Sequence, residues 1–330
     1  MFRIDINLEQ TSFFIKGAKY TMDKKVLVFG VSGFVGKYLS HEFHDNDYKV
    51  YGSDIRRTDS VPEFVDFREC DLLDAEGIKN IILDIQPTHV VNLAAISNVG
   101  LSWNIPQKTI DVNVNGTLNI LEASRQCDVI PKILLIGSSE EYAISDKPMD
   151  ENSELDANNP YGISKMMQEK FSQLYRSRYG MKIYHVRSFN HTGIGQTDTF
   201  VIPSFCKQIA EIEKSGRPGT MYVGNLLVER DLGNVKDFAR AYRMVIESDK
   251  CESTYNIGTG CAVSLSDILN YIISLSSQHV TVVVDPNRFR PTDNRVICCN
   301  YNFIKTELGW EPQYSIYDTV KELYEYYLVN

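Results

Sequence analysis

Tyr161 and Lys165 stand four residues apart in Asn159-Pro160-Tyr161-Gly162-Ile163-Ser164-Lys165. The stretch predicts the first turn of a helix: Asn159 suits the N-cap, Pro160 suits the first helical position, and Met166, Met167, Glu169, Lys170 and Phe171 continue at helical spacing. Residues four apart share one face of a helix, so an ammonium is placed beside a phenol. Such a neighbour favours the phenolate and is expected to draw Tyr161 down from about 10 towards the range of proton exchange near neutrality. Ordinary amphipathic helices also contain this short pattern. Its weight rests on what the rest of the chain sets next to it.

A second chemical signal lies upstream. Lys25-Val26-Leu27-Val28-Phe29 is a short apolar run of the kind found in buried parallel strands. It leads into Gly30-Val31-Ser32-Gly33-Phe34-Val35-Gly36 and a helical stretch to about His44. Glycines between a strand and a helix let the backbone turn tightly and approach a pyrophosphate, which sits on the helix N-terminus. Lys49 to Ser53 reads as the next strand and ends at Asp54, 18 residues beyond Gly36. An acid there fits the adenosine ribose hydroxyls and favours NAD. Arg56 and Arg57 follow, and arginines near that spot hold a 2′-phosphate, so NADP is the second choice.

These groups need elements to carry them. A third strand is predicted over Phe64 to Cys70 with Asp71 and Leu72 at its end, then a helix from about Asp74 to Ile85. A fourth strand, His89 to Ala95, ends in Leu93, Ala94 and Ala95, where small side chains let a flat ring approach the backbone. A helix from about Gln107 to Ser124 carries Asn113, Asn115 and Asn119, which is polar for a core helix. The fifth strand, Ile133 to Ile136, breaks into Gly137-Ser138-Ser139-Glu140-Glu141-Tyr142. Lys182 to Val186 is a sixth strand, Tyr255 to Gly258 a late strand returning to the sheet, and Ser264 to Asp267 the opening of a helix by a capping-box-like pattern. Strands alternating with helices in this way predict an α/β fold with a doubly wound parallel sheet. Ligands collect at the carboxyl ends of such strands, where Ser138 and Glu140 fall. Residues 1–23 stand apart. Phe2, Ile4, Ile6 and Leu8 alternate with polar residues, which fits either a frayed leader or an arm that pairs with a sheet edge.

The bulk properties bound the alternatives. A chain of 330 residues with 43% hydrophobic content can bury a large core. No apolar run approaches the roughly 20 residues of a membrane span, and the first residues lack the pattern of a secretory signal. Seven cysteines without any Cys-x-x-Cys point to reduced thiols in a cytoplasmic protein, with no metal site expected. The net charge of -9 argues against a nucleic-acid partner but not against an anionic small molecule held by a few local arginines.

A glycine-rich turn, a hydroxyl at a strand end and the Tyr161–Lys165 pair together resemble the short-chain dehydrogenase/reductase superfamily, in its extended, sugar-nucleotide-modifying branch. The resemblance runs from Lys24 to the C-terminus. Within the branch, Ser138 to Tyr142, Arg187-Ser188-Phe189-Asn190-His191-Thr192-Gly193, Val223-Gly224-Asn225-Leu226, Glu229-Arg230-Asp231 and Arg290-Pro291-Thr292-Asp293 are most similar to the GDP-4-keto-6-deoxy-mannose reductases. The GDP-mannose 4,6-dehydratases come second. Ala143, Ile194 and Leu232-Gly233-Asn234 depart from the usual pattern, and the last two lie near the expected substrate side.

The resemblance implies a Rossmann domain over 24–190 plus about 235–262, and a sugar-nucleotide lobe over 191–234 and 263–330. It implies that Ser138 hydrogen-bonds the reacting sugar oxygen, Tyr161 donates the proton, and Lys165 tunes Tyr161 and holds the nicotinamide ribose. Glu140 is either an acid/base at C5 and C6, as in the dehydratases, or a supporting hydrogen-bond partner. The cofactor wall is expected to comprise Gly30, Gly33, Phe34, Val35, Gly36, Asp54, Arg56, Asp71, Leu72, Leu93, Ala94, Ala95, Tyr161, Lys165 and Phe189. Ser139, Asn190, Val201 and Asn225 are expected on the substrate, with Arg230 and Arg290 on its diphosphate and Asp293 on ribose hydroxyls. His191 is expected to be structural. Helices around 107–124 and 160–178 are expected to pair in a homodimer. The implied activity is NAD(P)-dependent reduction of a nucleotide-linked, GDP-type 4-keto-6-deoxy-hexose at C4. The alternatives are 4,6-dehydration, 4-epimerisation, or a catalytically silent nucleotide sensor.

Overall fold

The computed structural model describes residues 12–15, 18–21, 24–250, 254–289 and 294–330. Two short strands, β1 (Ser12–Ile15) and β2 (Ala18–Thr21), pair antiparallel with each other and form a sheet of their own. The alternating stretch Phe2 to Leu8 lies outside the described residues.

From Lys25 the chain alternates as expected: β3 (Lys25–Phe29), α1 (Phe34–His44), β4 (Lys49–Asp54), β5 (Asp66–Glu69), α2 (Ala75–Ile85), β6 (His89–Asn92), α3 (Val99–Asn104), α4 (Pro106–Ile110), α5 (Gly116–Ser124), β7 (Lys132–Ile136), α6 (Pro160–Tyr179) and β8 (Ile183–Ser188). There follow β9 (Asn190–Thr192), α7 (Val201–Ser215), β10 (Gly219–Val223), β11 (Glu229–Asn234), α8 (Val235–Glu247) and β12 (Thr254–Ile257). The chain ends with β13 (Ala262–Ser264), α9 (Leu265–Ser274), β14 (Val280–Val284), β15 (Val296–Ile297), α10 (Asn302–Leu308) and α11 (Ile316–Val329).

Seven strands form one parallel sheet in the order β12-β8-β7-β6-β3-β4-β5. The chain leaves β3 towards β4 and β5, then crosses back to β6, so the order reverses beside β3. That reversal opens a crevice at the carboxyl ends of β3 and β6. The strand interiors are apolar because helices cover both faces. On one face Val26, Val28, Leu39, Phe43, Tyr184 and Tyr242 pack together, and on the other Leu27, Phe29, Ile78, Ile120, Ile133 and Ile183. A further core gathers Ile202, Phe205, Ile209, Met221, Leu232, Ile268 and Leu323. Ile304 and Trp310, expected in the sugar-nucleotide lobe, instead belong to the first core, because α10 returns to β12 and Phe303 stacks on Tyr255.

The helix expected over 107–124 is broken. Between α4 and α5 the backbone widens into a π turn over Asp111–Asn115. The buried Asn113 explains it: its Oδ1 accepts the N–H of Ile96 at 2.8 Å and its Nδ2 donates to Ser164 Oγ at 2.8 Å. Its carbonyl also accepts from Thr117 Oγ and Gln168 Nε2. This polar network ties the loop after β6 to α6, the helix that carries Tyr161. An asparagine that looked out of place in a core helix is therefore a structural pin.

Candidate active site

A cleft of about 1130 Å³ opens at the carboxyl ends of the sheet, with walls contributed by all three cores. That volume exceeds the roughly 300–1,000 Å³ of a pocket for one drug-sized ligand and suits two large ligands side by side.

One wall is made of backbone. Gly30 has φ +80°, and a Cβ there would come within 2.6 Å of Ala94 N. A Cβ on Gly36 would lie 2.1 Å from the Val31 carbonyl oxygen. Only glycine lets this turn close against the end of β6. Gly33 sits at the N-cap of α1, where no side chain accepts a hydrogen bond from the helix, and the first turn of α1, Gly33 to Gly36, lines the cleft. An uncapped helix start with free donors and a partial positive charge is a site for a phosphate group. Asp54 borders the same wall, its carboxylate accepting the N–H groups of Ser32 at 3.1 Å and Ile55 at 2.8 Å. Phe34, Val35, Asp71, Leu72, Leu93, Ala94, Ala95 and Phe189 complete it. These residues fit a dinucleotide. Arg56 is the exception among the expected set: it is exposed on the loop past β4 and outside the cleft wall, and its carbonyl accepts the Ser32 hydroxyl.

The opposite wall carries Ser139, Asn190, Val201, Asn225 and Arg230. The N-terminus of α7 opens on it, with Phe200 at the N-cap and again no side-chain cap. By contrast α2, α8, α9 and α11 are capped by Asp74, Asn234, Ser264 and Ser315. The guanidinium of Arg230 donates to the carbonyls of Glu229 and Asn294, each at 2.8 Å, which holds it at the cleft wall. Arg290 and Asp293 lie outside the described residues.

Between the walls stand Ser138, Glu140, Tyr161 and Lys165. Helix α6 starts as expected, with Asn159 Oδ1 accepting the N–H of Gly162 at 2.9 Å and Pro160 in the first turn. Ser138 caps the short turn Ser139–Glu141: its Oγ accepts the N–H of Glu140 at 3.2 Å, and it lines the cleft together with Tyr161. Asn159 Nδ2 donates to Glu140 Oε2 at 2.8 Å, so the helix cap and the acid are joined.

The expected acidification of Tyr161 does not hold. Burial pushes its pKa above the ordinary phenol value; Ser138 opposes this, while Glu140, Glu141 and Tyr242 reinforce it. Lys165 contributes little because its Nζ donates to the Ile136 carbonyl at 2.7 Å and stands 5.7 Å from the Tyr161 ring centroid. Burial pushes Lys165 down to about 8, against the pull of Glu141. Tyr161 is thus kept as a protonated phenol at neutral pH, the form a proton donor needs.

Over residues 27–323 the chain matches the model of the GDP-mannose 4,6-dehydratase family. It belongs to that family. The expected kinship with the sugar-nucleotide-modifying dehydrogenases/reductases is borne out, and with it an NAD(P)-dependent enzyme on a Rossmann-type sheet. The chain is 27% identical over 305 residues to a GDP-6-deoxy-D-mannose reductase of Pseudomonas aeruginosa, covering 92% of this chain and 96% of the relative. It is likewise 27% identical over 348 residues to a GDP-mannose 4,6-dehydratase of Vibrio cholerae, covering 92% and 93%. Its fold is similar to that of a Thermus thermophilus UDP-glucose 4-epimerase in complex with NAD, with TM-score 0.81 and 25% identity over 92% of this chain and 98% of that one.

For this member of the family, sequence reasoning missed several cleft residues. Ser188 and Tyr242 meet on the floor, their hydroxyls 2.7 Å apart, and Lys108 and Arg288 reach the rim. Ser188 was legible in principle, since it ends β8 next to Phe189. Arg288 stands two residues before Arg290. Nothing in the pattern marks Lys108 or Tyr242. His191 packs between Phe34 and Phe238, and burial lowers its pKa to about 4, so it serves as a neutral wedge. Beneath Ser138, Glu141, Glu169 and His185 bring potential metal-ligating atoms within 4.8 Å of one another. Arg187 already occupies Glu169 through Nε at 3.1 Å and Nη2 at 2.9 Å, which leaves this trio a charge network and not a metal cage.

Proposed function

We propose that this chain reduces a nucleotide-linked 4-keto-6-deoxy-hexose, of GDP type, at C4 with NADH. One observation carries this reading: Ser138, Tyr161 and Lys165 line one cleft beside the glycine turn, with Tyr161 held protonated by burial. The dinucleotide lies on the glycine-turn wall, its pyrophosphate at the start of α1 and its adenosine ribose at Asp54. When bound, it supplies a hydride to the sugar carbonyl. Ser138 donates a hydrogen bond to the C4 oxygen and orients it. Tyr161 gives that oxygen its proton as alkoxide charge develops, and Lys165 holds the nicotinamide ribose. The substrate diphosphate lies towards α7 and Arg230; Arg290 and Asp293 are assigned to the diphosphate and the ribose hydroxyls by the family resemblance alone. Asp54 beside an outward-facing Arg56 supports NAD over NADP.

Dehydration is the second reading, favoured by the position of Glu140 beside Tyr161 at the cleft. Its engagement by Asn159 supports the supporting role over acid/base work at C5 and C6. Purified protein given NADH and a GDP-linked 4-keto-6-deoxy-mannose is expected to oxidise the NADH stoichiometrically. Turnover of GDP-mannose with no added reductant contradicts reduction and supports dehydration. A homodimer through α5 and α6, whose exposed Leu174 and Tyr179 need cover, and a cytoplasmic location in keeping with the six free cysteines among the described residues, belong to the same proposal. Light scattering at twice the chain mass of 37.6 kDa tests the dimer.

A further inference from the structure

The turn that carries Ser138 rests on an acid that no step above uses. Glu141 is fully buried, and its Oε1 accepts the N–H of Ser138 at 2.7 Å. The same carboxylate lies 3.2 and 3.3 Å from His185 Nε2 and 3.8 Å from Arg187 Nε. It can reach the backbone only because residue 137 is glycine: a Cβ there would fall 2.2 Å from Glu141 Oε1 and 2.3 Å from His185 Nε2. His185 Nδ1 is buried without a hydrogen-bond partner, so the ring proton belongs on Nε2, where the carboxylate accepts it.

We propose that Glu141 is a positioning residue for the reductive site: its carboxylate fixes the backbone of Ser138 and supplies a buried negative charge that favours the Lys165 ammonium. This rests on the roles proposed above for Ser138 and Lys165. The local charges close in this arrangement. Arg187 gives Glu169 on α6 three bonds of 2.9–3.1 Å and approaches Glu141 only to 3.8 Å, so Glu141 is the less neutralised of the two carboxylates. Lys165 is buried with a single backbone carbonyl, that of Ile136, as its hydrogen-bond acceptor among the described residues. An ammonium so placed needs a compensating charge. Glu141 is the charge that opposes its desolvation. The titratable and charged groups around the pair are Glu140 and Tyr142 in the same turn, Tyr161 and Glu169 on α6, His185 and Arg187 on β8, and Tyr242 on α8.

Two substitutions separate the two roles. Glu141→Gln keeps an acceptor for the Ser138 N–H and removes the charge. Glu141→Asp keeps the charge and falls one methylene short of Ser138. NADH binding to the full chain, followed by nicotinamide fluorescence from about pH 6 to about pH 10, reads the Lys165 ammonium through the ribose it holds. The midpoint at which binding weakens is expected to move about one unit towards acid in the Gln variant, a tenfold loss of affinity above it. In the Asp variant the midpoint stays within about 0.3 unit of the parent, while kcat for the keto sugar falls about tenfold with little change in KM. A Gln variant with the parent midpoint, or an Asp variant with the parent kcat, overturns the proposal. Should the Gln variant fail to fold, the Asp variant decides alone. A parent that turns over no keto sugar while the Gln midpoint still shifts sinks the reductase reading and leaves the charge role of Glu141 standing.

Discussion

Two helices open on the cleft, and the contrast between them organises the site. Both α1 and α7 begin without a side-chain cap, which leaves the amides of Phe34 and Val35 in α1 and of Val201 and Ile202 in α7 for an anion, since the Gly36 N–H is taken by the Gly33 carbonyl and Pro203 has none. Helix α1 is reached by a turn that only glycine can make, closed against the ends of β3 and β6. Helix α7 follows an irregular stretch, Gly193 to Phe200, with Gly195 at φ +96° and Asp198 drawn outward to Lys207 at 2.6 Å. One helix start is left open by local backbone geometry, the other by acceptors turned elsewhere. A fixed wall suits a cofactor used in every turnover, whereas a wall of loops and side chains is where a family can change its sugar.

The largest effect is expected where the walls meet. Tyr161→Phe should lower kcat by about 10²–10⁴-fold with NADH affinity within a few-fold of the parent, measured by steady-state kinetics beside a binding titration. Gly33→Asp places a carboxylate at the start of α1 and should weaken NADH by about tenfold or more while adding a cap. Phe200→Asp does the same for α7, where the extended backbone of Phe200 suits an N-cap. There the sugar-nucleotide KM should rise about tenfold at unchanged NADH affinity, with a melting temperature equal to or above the parent's. If both variants weaken the same ligand, the division between the walls is wrong.

A smaller effect concerns acid stability. Burial lowers His191 to about 4 and His89 to about 3, both from an ordinary value near 6.5. Between those values the unfolded chain binds more protons than the folded one, so stability falls as pH drops from about 6.5 towards 4, on the order of 1 kcal/mol per pH unit for each histidine. Urea titrations at pH 7 and pH 5 should show the loss, and His191→Phe should make it shallower. The smallest effect is expected for Arg56→Ala, under about twofold on NADH affinity. A large effect there would move Arg56 back to the cofactor wall and favour NADP.

The glycine-turn wall was legible because its causes are local. A strand, a glycine turn and a helix lie within Lys25 to His44, and Asp54 ends the next strand, so spacing alone located them. The Ser138 turn and α6 were legible for the same reason, down to the Asn159 cap. What spacing cannot convey is long-range chemistry. Tyr161 and Lys165 are neighbours on one helix face, yet burial and the acids Glu140 and Glu141 decide the phenol's state, and Lys165 turns to Ile136. Glu141, Glu169, His185 and Arg187 form one network from three elements. The break at Asp111–Asn115 likewise follows from Asn113 meeting Ser164, 51 residues away.

The most direct test follows the hydride. NADH carrying deuterium on the transferring face of its nicotinamide, given with the GDP-linked 4-keto-6-deoxy sugar, should deliver one deuterium to C4 of the product, and the Tyr161→Phe variant should do so far more slowly. Product formed without deuterium at C4, or at the parent rate in the variant, contradicts reduction with Tyr161 as the proton donor.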